Sequence, residues 1–283
     1  MLIVNKIVLG TAQFGLDYGI NNHNGKIVDS QVESILNLAL ENEIINLDTA
    51  AAYGSSESII GFFRQKNKAF KSFQITTKFK YNKGITIGRH VKDSTEKLNT
   101  KILDSVLFHS YKDYIDFDLK FKPNNIKNIG VSLYTNEEIK QVINDPIIQS
   151  IQVPFNLLDN EFFRGDLLKQ AKNKGIEVQV RSVFLQGLFF MKPENLPLNL
   201  RKLKLELKQL QNLAFENSIS MSEMALGYVF SKSYIDKIVI GVDSVVQLKS
   251  NIKASKSQLD ISIIRKIDSI ITKEKNLLNP INW

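Results

Sequence analysis

Four residues in the N-terminal part of the chain, Asp48, Tyr53, Lys78 and His109, have the types needed for proton chemistry at a carbonyl group. The stretch INLDTAAAYGSSESIIG, Ile45 to Gly61, ends an apolar run on a carboxylate and places a phenol five residues later, in a loop of small residues that then becomes a helix. Phenols titrate near about 10 and are poor proton donors unless something stabilises the phenolate. A neighbouring ammonium does so, and a carboxylate keeps that ammonium charged and in place. In this reading Tyr53 is the general acid, supported by Lys78 and Asp48, while a neutral His109 donates to the carbonyl oxygen and orients it. Other readings stay open for each residue alone. Asp48 suits a cap after a strand, Lys78 a Schiff base in an aldolase, and His109 a polar rim.

The elements that must position these groups are visible as short apolar runs. They span Lys6–Gly10, Ile44–Asp48, Phe73–Lys78, Ser105–His109, Asn128–Ser132, Ile148–Val153, Glu177–Ser182 and Lys237–Gly241. Between them lie stretches of helical period, such as Ser30–Asn42, with Ser30 as its expected N-cap, and Phe163–Gly175, with a glycine stop. Ser55 or Ser56 is expected to cap the helix after Tyr53, with Glu57 in its first turn. Strands alternating with helices pair in parallel, and eight such units specify an α/β (β/α)8 TIM barrel, one domain over residues 1–283. Asp48, Lys78, His109, Ser132, Gln152 and Arg181 all fall at strand ends, so six polar groups are expected at one barrel mouth.

Composition narrows the chemistry further. With 43% hydrophobic and 23% charged residues, the 283-residue chain has the profile of a folded globular protein. The absence of cysteine removes disulfides, thiolate metal sites and cysteine nucleophiles. Three scattered histidines without an H-x-H pair leave a metal-dependent hydrolase without ligands, and His23 and His90 read as surface residues. The net charge of +8 is dispersed, as in Lys202–Leu213, where Leu203, Leu207, Leu210 and Leu213 mark one apolar helix face. Neither a nucleic-acid nor a membrane partner is expected, and the start of the chain lacks a signal-peptide pattern, which points to the cytoplasm.

The runs LDTAAAYGSSESIIG, ITTKF, DSVLFHS, GVS, IQVPFNLLD and IVIGVDSVVQLKSN occur in the order and spacing of the aldo-keto reductase superfamily, which the chain resembles over nearly its whole length. That resemblance implies reduction of a small-molecule aldehyde or ketone by NADP(H) or NAD(H), with Tyr53, Lys78, Asp48 and His109 as the reacting set and the cofactor extended across the barrel mouth. It further implies that Ser132 and Gln152 hold the nicotinamide carboxamide and that Thr11 lies beside its ribose. The Arg181–Leu188 segment, with Ser182 and Gly187, would wrap the pyrophosphate, and Gly241, Ser244, Gln247 and Asn251 would hold the adenosine half. A cofactor-sensing regulatory protein is the alternative, because potassium-channel β-subunits resemble the superfamily and keep the four reacting residues. The segment GTAQFGLDYGINNHNGK is similar to bacterial members of polysaccharide and sugar pathways, which implies a sugar-derived carbonyl compound.

Three positions depart from the family pattern. Leu133 replaces an asparagine, Arg181 a tyrosine that stacks on the nicotinamide, and Asp243 the Lys or Arg that many members set against a 2′-phosphate. Arg181 is expected either to favour acidic or highly oxygenated substrates or to stack and pair with a protein carboxylate. Substrate specificity is expected in residues 13–27, 111–125, 189–201 and the tail after 277.

Overall fold

The computed structural model describes the chain except residues 1–2, 21, 23–24 and 118–121, so the reading of His23 lies outside the described residues. Eight strands close into a barrel in sequence order: β1 Ile7–Gly10, β2 Asn46–Asp48, β3 Gln74–Phe79, β4 Leu103–Phe108, β5 Ile126–Ser132, β6 Ser150–Pro154, β7 Glu177–Arg181 and β8 Lys237–Gly241. All neighbours pair in parallel, and β8 returns to β1 through Ile7↔Ile238 and Leu9↔Ile240. This is the (β/α)8 TIM barrel expected from the alternation of runs. Strands covered on both faces bury nearly every residue, which is why they read as continuous apolar runs rather than as alternating ones.

The helical periods behave as amphipathic covers. In the Lys204–Glu216 helix, Leu207, Leu210 and Leu213 are buried with Leu203 just before it, and the charges between them face outward. Gly175, at φ +79°, ends the turn after the Glu161–Asn173 helix. Several starts are capped by side chains. Thr135 and Ser220 form capping boxes with Glu138 and Glu223, and Ser244 accepts from the Gln247 amide.

Three local expectations are corrected. The first long helix begins at Asp29 behind Val28, with no side-chain cap, so Ser30 lies inside it. Ser55 precedes the Ser56–Lys66 helix without a capping hydrogen bond, and Ser56 is buried, its hydroxyl 2.9 Å from the Thr11 carbonyl. Side-chain oxygens cap only when nothing stronger claims them, and Ser56 is claimed by the rim of β1. His90 is half-buried rather than superficial: its ring packs on Phe79 with centroids 5.1 Å apart, and burial lowers its pKa. Among the described residues, no helix is long and apolar enough to cross a membrane.

Candidate active site

Asp48 closes β2 and is 3% exposed, and its carbonyl accepts from the amide and hydroxyl of Thr11 at 2.9 and 3.0 Å. The chain then turns through a loop whose apex carries Tyr53. Two glycines make that loop possible. Gly54 has φ +55°, and a Cβ on Gly15 would sit 1.8 Å from the Tyr53 carbonyl oxygen, so the β1 and β2 loops interlock where only glycine fits. Lys78, near the end of β3 and 2% exposed, donates to Asp48 Oδ1, to the Thr49 carbonyl at 3.2 Å and to the Tyr53 hydroxyl at 3.3 Å. His109 follows β4, its ring edge-on to Tyr53 with centroids 5.9 Å apart. The four residues singled out by type thus meet at one point.

Their environment sets their charges. Burial lowers the pKa of Lys78, but Asp48 and then Tyr53 overcome this and hold it above the ordinary lysine value. Lys78 is an ammonium. Burial, aided by the positive charges of Lys78, Lys80 and Arg181 and only partly offset by Asp113, lowers His109 to about 4. At neutral pH its imidazole is uncharged, and its Nδ1 is buried with no partner among the described residues.

These groups form the floor of a cavity of about 500 Å³ that runs from Tyr53 toward the start of the Val245–Ala254 helix. All six polar strand ends named from the sequence line it, as do Thr11, Ser182, Gly187, Gly241, Gln247 and Asn251. Ser244 does not; its hydroxyl is taken by the helix cap. The described part of the 111–125 loop contributes no lining residue, whereas Gln13, Tyr18, Gly19, Asn22, Phe190, Pro280 and Ile281 come from three of the four segments expected to vary.

The structure adds residues that local sequence did not single out. Gln13 lies against Gly241, where a Cβ would come within 2.8 Å of its amide. Tyr18 reaches Gln186 across the cavity at 3.3 Å, and Tyr134 supports Arg181, whose guanidinium lies 4.2 Å from the centroid of the tyrosine ring. Arg181 donates to the Leu133 carbonyl at 3.3 Å and to Ser182 Oγ at 3.4 Å, and no ion pair joins it to a carboxylate among the described residues. The guanidinium thus lies against a protein ring, a pairing no periodicity predicts. Asp243 turns back on the helix that follows it: its amide donates to Gln247 Oε1 at 2.8 Å, and its Oδ2 accepts from Gln247 Nε2 at 3.2 Å.

A sequence profile described as the Aldo/keto reductase family matches residues 6–272. The chain belongs to the aldo/keto reductase family. This family member is 24% identical to YrpG of Bacillus subtilis strain 168, described as an uncharacterized oxidoreductase, over 95% of its own length and 93% of the relative's. Its fold is similar to that of the aldo-keto reductase AKR11C1 from Bacillus halodurans in its holo form, with a TM-score of 0.72, 21% identity, and 95% and 94% of the two chains covered. PA4992 of Pseudomonas aeruginosa superposes with a TM-score of 0.64 at 18% identity over 88% of each chain. Membership makes the protein an oxidoreductase of carbonyl compounds in general terms.

Proposed function

We propose that this aldo-keto reductase reduces an aldehyde or ketone to an alcohol, with Tyr53 as the proton donor and NADPH or NADH as the reductant. The observation that carries the reading is the position of Lys78 Nζ, hydrogen-bonded to both Asp48 and the Tyr53 hydroxyl on the cavity floor. An ammonium has donors only, so the phenolic oxygen accepts from Lys78 and its own proton is directed elsewhere, toward the cavity. As that proton leaves for a carbonyl oxygen, the fixed ammonium stabilises the charge that develops on Tyr53. Neutral His109 offers one N–H to the same oxygen without adding a competing charge. Lys78 is charged and paired, which disfavours the aldolase reading, because Schiff-base chemistry needs a free amine.

The bound cofactor would supply the hydride. The cavity wall suits such a group: Gln152 Oε1, Gln13 Oε1 and Asp243 Oδ1 are buried acceptors without partners among the described residues, and amide and ribose hydroxyl donors would satisfy them. Gln152, Ser132 and Thr11 would hold the nicotinamide end, with Ser182 and Gly187 along the middle and Gly241, Gln247 and Asn251 at the far end. Arg181 adds a positive charge without a carboxylate partner, which favours a substrate that is acidic or rich in oxygen.

Tyr53→Phe tests the assignment, since it removes the phenolic proton and leaves the ring. It is expected to retain cofactor affinity and to lower kcat by about 10²-fold or more. Wild-type kcat in that variant would remove Tyr53 from its role. If the native protein binds cofactor but oxidises none with a panel of aldehydes and ketosugars, the cofactor-sensing reading takes its place.

A further inference from the structure

Alternate residues of a strand share a face, so the inward column of β7 reads Glu177, Gln179, Arg181. Barrel interiors are usually filled by branched apolar layers. Here a polar chain rises through the layer beneath the cavity. At the lower end Lys237 Nζ lies 3.1 Å from Glu177 Oε2, and Gln179 Nε2 donates to Glu177 Oε1 at 2.7 Å. Gln179 is paired in register with Gln152, whose Nε2 donates to Gln179 Oε1 at 3.2 Å and to Asp48 Oδ2 at 2.7 Å. Asp48 Oδ1 is the oxygen that holds Lys78.

Carboxylates only accept, so Glu177 and Asp48 fix the direction of both amides between them. Glu177 takes the NH2 of Gln179, which leaves Gln179 presenting its oxygen to Gln152. Both N–H groups of Gln152 are then spent, one on Gln179 and one on Asp48. Its Oε1 is left buried and unpartnered on a residue that lines the cavity. Gln179 itself, 1% exposed, does not line the cavity.

We propose that Gln179 is a positioning residue: it holds Gln152 with its NH2 on Asp48 and its carbonyl free for a ligand in the cavity. Without it, one buried N–H of Gln152 loses its acceptor, and the amide has reason to rotate off Asp48. The consequence for turnover rests on the carbonyl-reductase reading. The orientation of Gln152 does not, and it is measurable in the protein without cofactor.

The test uses full-length protein labelled with ¹⁵N-glutamine, with the Gln152 side-chain amide assigned by its loss in Gln152→Leu. In Gln179→Leu the Gln152 amide protons should exchange with solvent about ten-fold faster than in the wild type, and the NAD(P)H Kd should rise about five-fold, the size of one lost hydrogen bond. Gln179→Glu alone sets two carboxylates against each other and should behave similarly. Combined with Glu177→Gln, it rebuilds every link with the two side chains exchanged. The amide now at position 177 donates to the carboxylate now at position 179, that carboxylate accepts from Gln152, and Lys237 donates to the amide oxygen at position 177. Exchange and Kd should then return toward wild type. Unchanged exchange and Kd in Gln179→Leu, with only a lower Tm, would assign Gln179 to packing and overturn the proposal. If that variant does not fold, failure of the double exchange to improve on Gln179→Glu overturns it instead. Should the wild type bind neither NADH nor NADPH, the functional reading falls, and Gln152 exchange still decides the relay.

Discussion

Arg181 differs from Lys78, the other cation lining the cavity, in having no carboxylate within ion-pair distance among the described residues. Lys78 is neutralised by Asp48, whereas Arg181 rests on the face of Tyr134 and donates to two neutral oxygens. A cation over an aromatic face is held in place without losing its charge, so the guanidinium keeps donors for an incoming anion. A charge-assisted hydrogen bond contributes about 1.5–3 kcal/mol, which corresponds to a preference of about ten-fold or more for a carboxylated carbonyl compound over its neutral analogue. Arg181→Tyr should erase that preference while leaving the neutral compound's kcat/KM within a few-fold of wild type. Equal loss on both compounds, together with weaker cofactor binding, would instead assign the arginine to the cofactor phosphates.

Two loops and one turn hold the candidate site residues at the scale of elements. Gly15, in the short Ala12–Gly15 helix after β1, meets the Tyr53 carbonyl, while Thr11 binds Asp48 and Ser56. A methyl group on Gly15 would strike backbone, 2.5 Å from the Ser56 nitrogen as well, so nothing flexible can yield. Gly15→Ala is therefore expected to cost about 1–3 kcal/mol of stability and to lower kcat with little change in cofactor Kd, because it displaces the Tyr53 loop. Denaturant unfolding together with steady-state kinetics checks both parts; wild-type kcat would show that Tyr53 is positioned independently of the β1 loop. On the opposite side, the turn after β6 does the corresponding work. Buried Arg164 grips Asp159 through both oxygens and donates to the Tyr134 carbonyl at 2.6 Å, while Asn156 donates to the Ser182 carbonyl at 3.1 Å. Ser182 adopts φ +59°, a left-handed conformation unusual for serine, beside the arginine whose direction it helps to set.

For the whole molecule, the clearest linkage between site and stability is His109. Its pKa is about 4 in the folded protein against an ordinary value of 6.5, so below 6.5 the unfolded chain binds a proton that the native state refuses. The stability associated with this residue is fully present above pH 6.5, falls as the pH drops toward 4, and amounts to on the order of 3 kcal/mol. Urea unfolding at about pH 7.5, 5.5 and 4.5 should show the wild type losing stability relative to His109→Leu across that window. A constant difference between the two proteins would mean that His109 titrates alike in both states.

Apolar spacing alone specified the barrel and brought the candidate site residues to its mouth. Eight apolar runs became eight strands because a strand buried on both faces needs no alternation to be recognised, and Asp48, Lys78 and His109 stood at run ends where parallel strands open. Amphipathic spacing likewise placed Leu203, Leu207, Leu210 and Leu213 correctly in the core. Other features required the tertiary structure because their partners are distant in sequence. Gln152 meets Asp48 across 104 positions, and Tyr18 meets Gln186 across 168. Ser56 and His90 show the same limit, since local chemistry offers a cap or a surface position and only the packed neighbours decide whether it is used. Arg181 shows both levels: the strand register put it at the mouth, but the ring that holds its charge came from the turn after another strand, which closure of the barrel brought alongside.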